Sequence, residues 1–171
     1  KLNSMNDLLL MNKLVEASKQ GVKVNLIIRG ICCLIPQVSG FTDNIKIKSI
    51  VGRHLEHSRI LRFGTGDRSK LFIGSGDFLN RNTQRRVEAF VQVTQKDLKE
   101  QIHFILDTEI DDNCHGWIMN SDATYTQLKG KHLKHSQDIV REYYQALNLP
   151  PIGLEKEKAS FWQVLIKKLF G

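Results

Sequence analysis

The 171-residue chain lacks several features that would place it in a specialised class of protein. It has no run of eighteen apolar residues, which excludes a membrane-spanning helix, and no basic-then-apolar leader, so no secretory signal is visible. Its three cysteines are Cys32, Cys33 and Cys114. Their odd number and spacing provide neither a disulfide framework nor a pair of zinc ligands, so we expect reduced thiols in a cytoplasmic protein.

What is present fits one soluble globular domain. Apolar residues make up 41% of the chain, and its length allows one sizeable core. No internal repeat is visible. The chain begins with Lys1, within what reads as a structural element, so we expect it to be part of a longer polypeptide.

The net charge of +7 is concentrated in one stretch of the chain. Between Lys46 and Arg86 there are ten basic and three acidic residues, and this difference of seven equals the whole net charge. Such a concentration predicts a polyanionic partner, either a nucleotide, a nucleic acid or a phosphate polymer. A solvated basic surface without a ligand is the alternative.

The apolar pattern predicts helices alternating with strands. Helical periodicity predicts helices over residues 6–21, 95–110, 134–148 and 155–171. Apolar runs predict strands over residues 22–30, 44–52, 59–64, 70–75, 85–93 and, more weakly, 123–128. The turn sequence TGDRS joins the third and fourth of these strands into a hairpin. The predicted fold class is α/β, with a mixed β-sheet flanked by helices.

His57 and Arg59 stand two residues apart at the start of a predicted strand, so both side chains point to one side of the sheet. The hairpin would return four small or polar residues to this position, namely Gly74, Ser75, Asp77 and Asn80. An imidazole, a cation and a close backbone approach are suited to phosphoryl chemistry. The combination resembles half of the active site of the phospholipase D superfamily, in which a lysine is more usual than Arg59.

Three longer strings resemble the C-terminal catalytic domain of the phosphohistidine-type polyphosphate kinase. They occur in the order SKQGVKVNLIIRGICCLIP, NIKIKSIVGRHLEHSRI and GSGDFLNRNTQRRVEAFVQV. The resemblance, which runs from Lys1 to about residue 130, implies a phospholipase D-like fold, with two such domains forming one tunnel. It also implies reversible transfer of the ATP γ-phosphate to inorganic polyphosphate. The phosphorylated histidine and the arginines associated with Mg²⁺ would lie upstream, so we expect no metal ligands and no activity from this chain alone.

The resemblance implies roles for individual residues. Arg29 in RGICC matches an arginine that contacts ATP phosphates, and His57 in LEHSR matches the second active-site histidine, which makes it the predicted catalytic residue. Arg86 in QRRVE matches an arginine that faces the phosphate tunnel. Arg59 and Ser75 complete the predicted ATP- and phosphate-binding set.

Other positions depart from the family pattern. His54 stands where the family generally has an aromatic residue, and we interpret it as non-catalytic. Ile35 and Ser39 differ from the usual basic residue and V-P-G run around Pro36, so some contacts of that loop are not expected here.

We assign residues 1–147 to the catalytic domain and residues 148–171 to a linker and an amphipathic helix. The apolar stripe of that helix predicts packing against the domain or another subunit, with peripheral membrane contact as the alternative. The expected partners are ATP or ADP, polyphosphate, an upstream domain of the same polypeptide and further copies in a homo-oligomer, with no nucleic acid. A phospholipase D-like phosphodiesterase or nuclease, and a nucleic-acid-binding module, are the alternative functions.

Overall fold

The structure, a computed structural model, describes residues 1–147. The chain divides into two compact units, Lys1–Arg141 and Glu142–Gly171. The predicted linker and terminal helix of residues 148–171 lie outside the described residues. None of the helices in the described part is long and apolar enough to cross a membrane.

Helices and strands alternate along the described chain. The helices are α1 (Leu8–Lys19), α2 (Asn80–Gln84), α3 (Lys96–Asp111) and α4 (Ser136–Ala146), with a short 3-10 helix over Gly66–Arg68. The strands are β1 (Val24–Ile27), β2 (Ile45–Ile50), β3 (Arg59–Phe63), β4 (Lys70–Gly74), β5 (Phe90–Val93), β6 (Gly116–Met119) and β7 (Tyr125–Gln127).

The strands form two sheets. The first is mixed, in the order β1-β2-β6-β7, with β1 and β2 parallel and the other pairs antiparallel. The second, β3-β4-β5, is antiparallel. The N-terminal segment joins them, because Leu2 bridges to Ile28 beyond β1 while the Ile60 amide of β3 donates to the Lys1 carbonyl at 3.0 Å. The predicted α/β class with a mixed sheet is confirmed.

Each sheet has a helix packed on one face. Met11, Leu14 and Val15 of α1 pack on the buried cluster that contains Ile45 and Ile47 of β2. On the second sheet, α3 contributes to another cluster with members from β3, β4 and β5, which comprises Ile60, Leu71, Val93, Ile102 and Leu106.

Local sequence signals account for the elements that the sequence predicted well. Helix α1 begins after Asp7, whose carboxylate accepts a hydrogen bond from the Leu10 amide at 2.9 Å, and ends before Gly21, which has a φ of 82°. Leu9, which belongs to the apolar pattern of the predicted helix, is 73% exposed instead of packed. The predicted TGDRS hairpin is confirmed by the register of Phe63 opposite Lys70.

Two short elements were not predicted. Strand β6 has four residues without apolar alternation, and it forms because β2 and β7 pair with its two edges. Helix α2 comprises five residues, and the predicted strand that follows it is shorter than expected, since it begins only at Phe90. Both elements depend on partners distant in sequence, which local patterns do not report.

A buried carboxylate fixes the connection between α3 and α4. Asp112 is fully buried, and its Oδ1 accepts hydrogen bonds from the amides of Cys114, His115 and Gly116 at 2.8–3.1 Å. Its Oδ2 accepts from the amide and hydroxyl of Ser136, the first residue of α4, at 2.9 and 2.6 Å. Burial raises the pKa of Asp112, but the hydrogen bonds from Ser136 and the loop amides outweigh it and hold the pKa below 3.8.

We expect Asp112→Asn to lower the free energy of unfolding by about 2–3 kcal/mol, because the new NH₂ group must face N–H donors. The effect is measured by chemical denaturation at neutral pH, with the substitution made in the complete protein. Asp111→Asn is the matched control, since the exposed pair of Asp111 with Lys134 contributes about 0.5 kcal/mol or less.

A comparison of the unsubstituted protein with Asp112→Asn at several pH values gives a second test. Since the pKa of Asp112 is lowered in the folded state, its stabilisation is present above the unfolded pKa and is lost as pH falls through the folded value. The advantage of Asp112 over asparagine should therefore shrink below about pH 3.8. An advantage that grows at acid pH would contradict this account.

Candidate functional site

Arg29 connects the end of β1 with the segment that precedes β3. It follows β1 by two residues and is half-buried, and its Nε donates to Asn3 Oδ1 and to the Glu56 carbonyl, both at 2.8 Å. Within residues 1–147, its terminal amino groups form no hydrogen bond. The guanidinium is therefore anchored, through Nε alone, to the peptide group that joins Glu56 to His57.

Arg59, the first residue of β3, is held by a buried carboxylate. Strand register places it opposite Gly74, which brings Asp77 within reach, as the predicted hairpin requires. Arg59 Nε and Nη2 donate to the two carboxylate oxygens of Asp77 at 3.3 and 3.1 Å. Burial raises the pKa of Asp77, but the hydrogen bonds from Arg59 and Asn3 outweigh it, so the pKa lies below its usual range.

Asn3 links the two arginines. Its backbone amide and its side-chain Nδ2 donate to Asp77 Oδ1 at 2.7 and 3.3 Å, while its Oδ1 accepts from Arg29. Arg29, Asn3, Asp77 and Arg59 thus form one continuous hydrogen-bonded set, which we call the arginine bridge. The sequence singled out three of these residues but gave no signal for Asn3, because a lone asparagine in a short extended segment belongs to no motif.

His57 lies at the exposed end of this set. Its Nδ1 is 3.2 Å from Arg59 Nη1, which also donates to the His57 carbonyl at 3.0 Å. A guanidinium has only donors, so Nδ1 is the acceptor and the neutral ring carries its proton on Nε2. His54 differs, because the hydrogen bonds it forms within residues 1–147 are those of its backbone N–H and carbonyl with Gln137.

A second polar group, the Glu88 cluster, lies just beyond the C-terminal end of β4, the end at which Gly74 pairs with Arg59. The Glu88 carboxylate accepts from Ser75 Oγ and Asn82 Nδ2, each at 2.5 Å, and lies 3.5 Å from Arg86 Nε. The hydrogen bond from Ser75, then that from Asn82, lowers the pKa of Glu88. Arg86 is 60% exposed. The Ser75 hydroxyl is occupied as a donor, so a phosphate contact from Ser75, which stays a prediction, requires it to leave Glu88.

The basic stretch is mostly exposed, but not uniformly. Lys48 is buried, and its Nζ donates to carbonyls at the end of α3, including that of Asp112 at 2.8 Å. Burial lowers the pKa of Lys48. Arg59 and Arg62 are half-buried and paired with carboxylates. Seven basic residues remain exposed: Lys46, Arg53, Arg68, Lys70, Arg81, Arg85 and Arg86.

Comparisons with known proteins agree on one family. Residues 1–138 match the family described as polyphosphate kinase C-terminal domain 2. The chain belongs to this family. It is 44% identical over 137 residues to the polyphosphate kinase of Synechocystis sp., which covers 80% of this chain and 19% of that protein. It is 42% identical over 154 residues to that of Prochlorococcus marinus, which covers 90% of this chain and 21% of that protein.

A solved structure of the same family confirms the predicted fold class. The crystal structure of polyphosphate kinase from Porphyromonas gingivalis matches with a TM-score of 0.81 at 30% identity, over 85% of this chain and 23% of that chain. The chain thus spans about a fifth of the length of the polyphosphate kinases that it resembles.

Magnesium, which the resemblance implies, does not fit the residues present. Within residues 1–147, no group of three or more His, Cys, Asp or Glu side chains is arranged to hold a metal ion. Asp77, within the arginine bridge, and Glu88 already accept hydrogen bonds from arginine, asparagine or serine side chains. We therefore assign no metal ligand among these residues.

Removing the charge of Asp77 tests the arginine bridge. We expect Asp77→Asn to lower the free energy of unfolding by about 3 kcal/mol, because it leaves the largely buried Arg59 charge without its partner. Asp107→Asn is the control: Asp107 also pairs with an arginine, Arg62 at 2.7 Å, but is 62% exposed, so its loss should cost about 0.5 kcal/mol or less. Equal costs in urea denaturation would contradict a structural role for the bridge.

Proposed function

We propose that this chain is the part of a polyphosphate kinase that binds the phosphates of ATP during reversible transfer of the γ-phosphate to inorganic polyphosphate. The observation that carries the proposal is the arginine bridge, which connects Arg29 through hydrogen bonds to Arg59 and so to His57, in a chain of this family. Family membership also favours this function over a phosphodiesterase and over a nucleic-acid-binding module.

Arg29 is proposed to bind phosphate directly. Its anchored Nε fixes the plane of the guanidinium, and its two terminal amino groups match two oxygens of a phosphate. Arg86, which is exposed beside Glu88, is proposed to meet the same polyanion through charge.

Arg59 is proposed to act mainly through His57. Its three nitrogens already donate to Asp77 and to His57, so most of its hydrogen-bonding capacity is used within the protein. Its positive charge still attracts a nearby phosphate, while its hydrogen bonds to His57 orient the imidazole.

His57 is proposed to donate a hydrogen bond from its Nε2–H to a phosphoryl oxygen of the transferred group, where it stabilises the charge that develops during transfer. With Nδ1 accepting from Arg59, the neutral ring has no lone pair at Nε2 with which to attack phosphorus. The nucleophilic histidine is therefore assigned to another part of the same polypeptide, together with any ligands for Mg²⁺. We also propose a cytoplasmic enzyme that works as a homo-oligomer.

Arg29→Lys separates geometry from charge. Lysine keeps the positive charge but loses the planar fork, so we expect the KM for ATP of the complete enzyme to rise about tenfold, which corresponds to one charge-assisted hydrogen bond of roughly 1.5 kcal/mol. Arg68→Lys, at an exposed position of the same basic stretch, should leave this KM unchanged. An unchanged KM for Arg29→Lys would restrict Arg29 to a structural role.

His57→Ala and His54→Phe test the assignment of the histidine. In the complete enzyme, His57→Ala should lower kcat by about a hundredfold or more, the usual scale for the loss of one positioned donor to a developing charge. His54→Phe should leave kcat nearly unchanged, because His54 forms its hydrogen bonds with Gln137 through its backbone, which phenylalanine keeps. Circular dichroism checks that both variants fold. Equal losses would mean that the exposed basic surface, and not this imidazole, supports the reaction.

A further inference from the structure

The histidine segment, residues 51–58, carries His57 but has no secondary structure of its own. Within the described part of the chain, its backbone makes no hydrogen bond with other backbone groups and four with side chains. Arg29 binds the Glu56 carbonyl and Arg59 binds the His57 carbonyl. The other two hydrogen bonds join the backbone N–H and carbonyl of His54 to the side chain of Gln137.

Gln137 lies in the first turn of α4 and holds the histidine segment as a neighbouring strand would. Its Oε1 accepts from the His54 amide at 2.9 Å, and its Nε2 donates to the His54 carbonyl at 2.7 Å. The same Nε2 donates to Glu56 Oε1 at 3.0 Å. One carboxamide therefore binds the segment at two residues, and the second is the immediate neighbour of His57.

Glu56 passes this restraint to both predicted site residues. Its carboxylate is bound by Gln137 and, through the other oxygen, by Lys1 Nζ at 2.7 Å, while its carbonyl accepts from Arg29. The peptide group between Glu56 and His57 is thus held at its carbonyl by Arg29, and the Glu56 side chain beside it is held by Gln137 and Lys1. A shift of Gln137 would move the anchor of Arg29 and the backbone of His57 together.

Two further observations show that the place of Gln137 is closely defined. The preceding residue, Ser136, is bound through its amide and hydroxyl to the buried Asp112, so the start of α4 cannot shift freely. A Cβ on Gly52 would lie 2.5 Å from Gln137 Oε1. The chain therefore approaches the carboxamide so closely at Gly52 that any side chain there would displace it.

We propose that Gln137 is a positioning residue for the phosphoryl-transfer site: its carboxamide sets the histidine segment and so aligns His57 with Arg29. The proposal rests on the function proposed above. Gln137 does not touch the reacting atoms, and its effect passes through Glu56 and the backbone of His54. Misplacement of a reacting group by about 1 Å can lower a rate by a hundredfold, so the expected effect on kcat is large.

The test compares Gln137→Ala with Gln127→Ala in the complete enzyme, by steady-state kinetics and by hydrogen–deuterium exchange with mass spectrometry. Gln127 is a matched control, because its carboxamide also donates to a backbone carbonyl, that of Cys114 at 3.2 Å, away from the arginine bridge. We expect Gln137→Ala to lower kcat about tenfold or more and to speed exchange in peptides covering residues 52–58. Gln127→Ala should change neither quantity.

Gly52→Ala supplies an independent test of the same contact. Alone, it should lower kcat about as much as Gln137→Ala, because the added methyl group displaces the carboxamide. In the Gln137→Ala background it should lower kcat by less than about twofold further, since the displaced group is already absent.

Three results would overturn the proposal. They are unchanged exchange over residues 52–58 in Gln137→Ala, faster exchange with an unchanged kcat, and faster exchange throughout the protein, which would indicate a general loss of stability. If the unsubstituted enzyme makes no polyphosphate from ATP, the proposed function is wrong, and exchange over residues 52–58 then decides alone whether Gln137 holds the segment.

Discussion

Two guanidinium groups, those of Arg29 and Arg59, belong to one hydrogen-bonded set at this site. Like charges at short range repel, and the repulsion is strongest where water is excluded. The buried carboxylate of Asp77 offsets it by pairing directly with Arg59, and Asn3 extends the same hydrogen-bonded set to Arg29. The orientation of His57 follows from this arrangement, since Arg59 is also its hydrogen-bond donor.

The fold brings these residues together by joining its two sheets through the N-terminal segment. That segment bridges to the extension of β1 and to β3, so the residue that follows Leu2 necessarily lies between Arg29 and Asp77. Segments that pair with distant strands contribute little local pattern of their own, but here they determine which strand ends meet. The site is therefore a consequence of sheet pairing as much as of the residues that line it.

Buried and exposed charges have different roles in this chain. Lys48 and Asp112, both buried, interact with backbone groups at the end of α3 and the start of α4, where they fix the helix that carries Gln137. The exposed arginines differ: Arg86, for example, is 60% exposed and lies 3.5 Å from the Glu88 carboxylate. A basic sequence stretch thus combines buried, structural cations with exposed ones, and only burial and partners distinguish the two kinds.

The sequence by itself determined the elements with local signals, such as α1 with Asp7 at its start and the TGDRS hairpin, and its strings indicated the family. It also singled out Arg29, His57 and Arg59. Only the tertiary structure decided what supports them, because Asn3, Glu56 and Gln137 bind partners 26 to 83 residues away in the chain. A hydrogen bond of this range leaves no periodicity or spacing in the sequence, and it exists only once the sheets and α4 have packed.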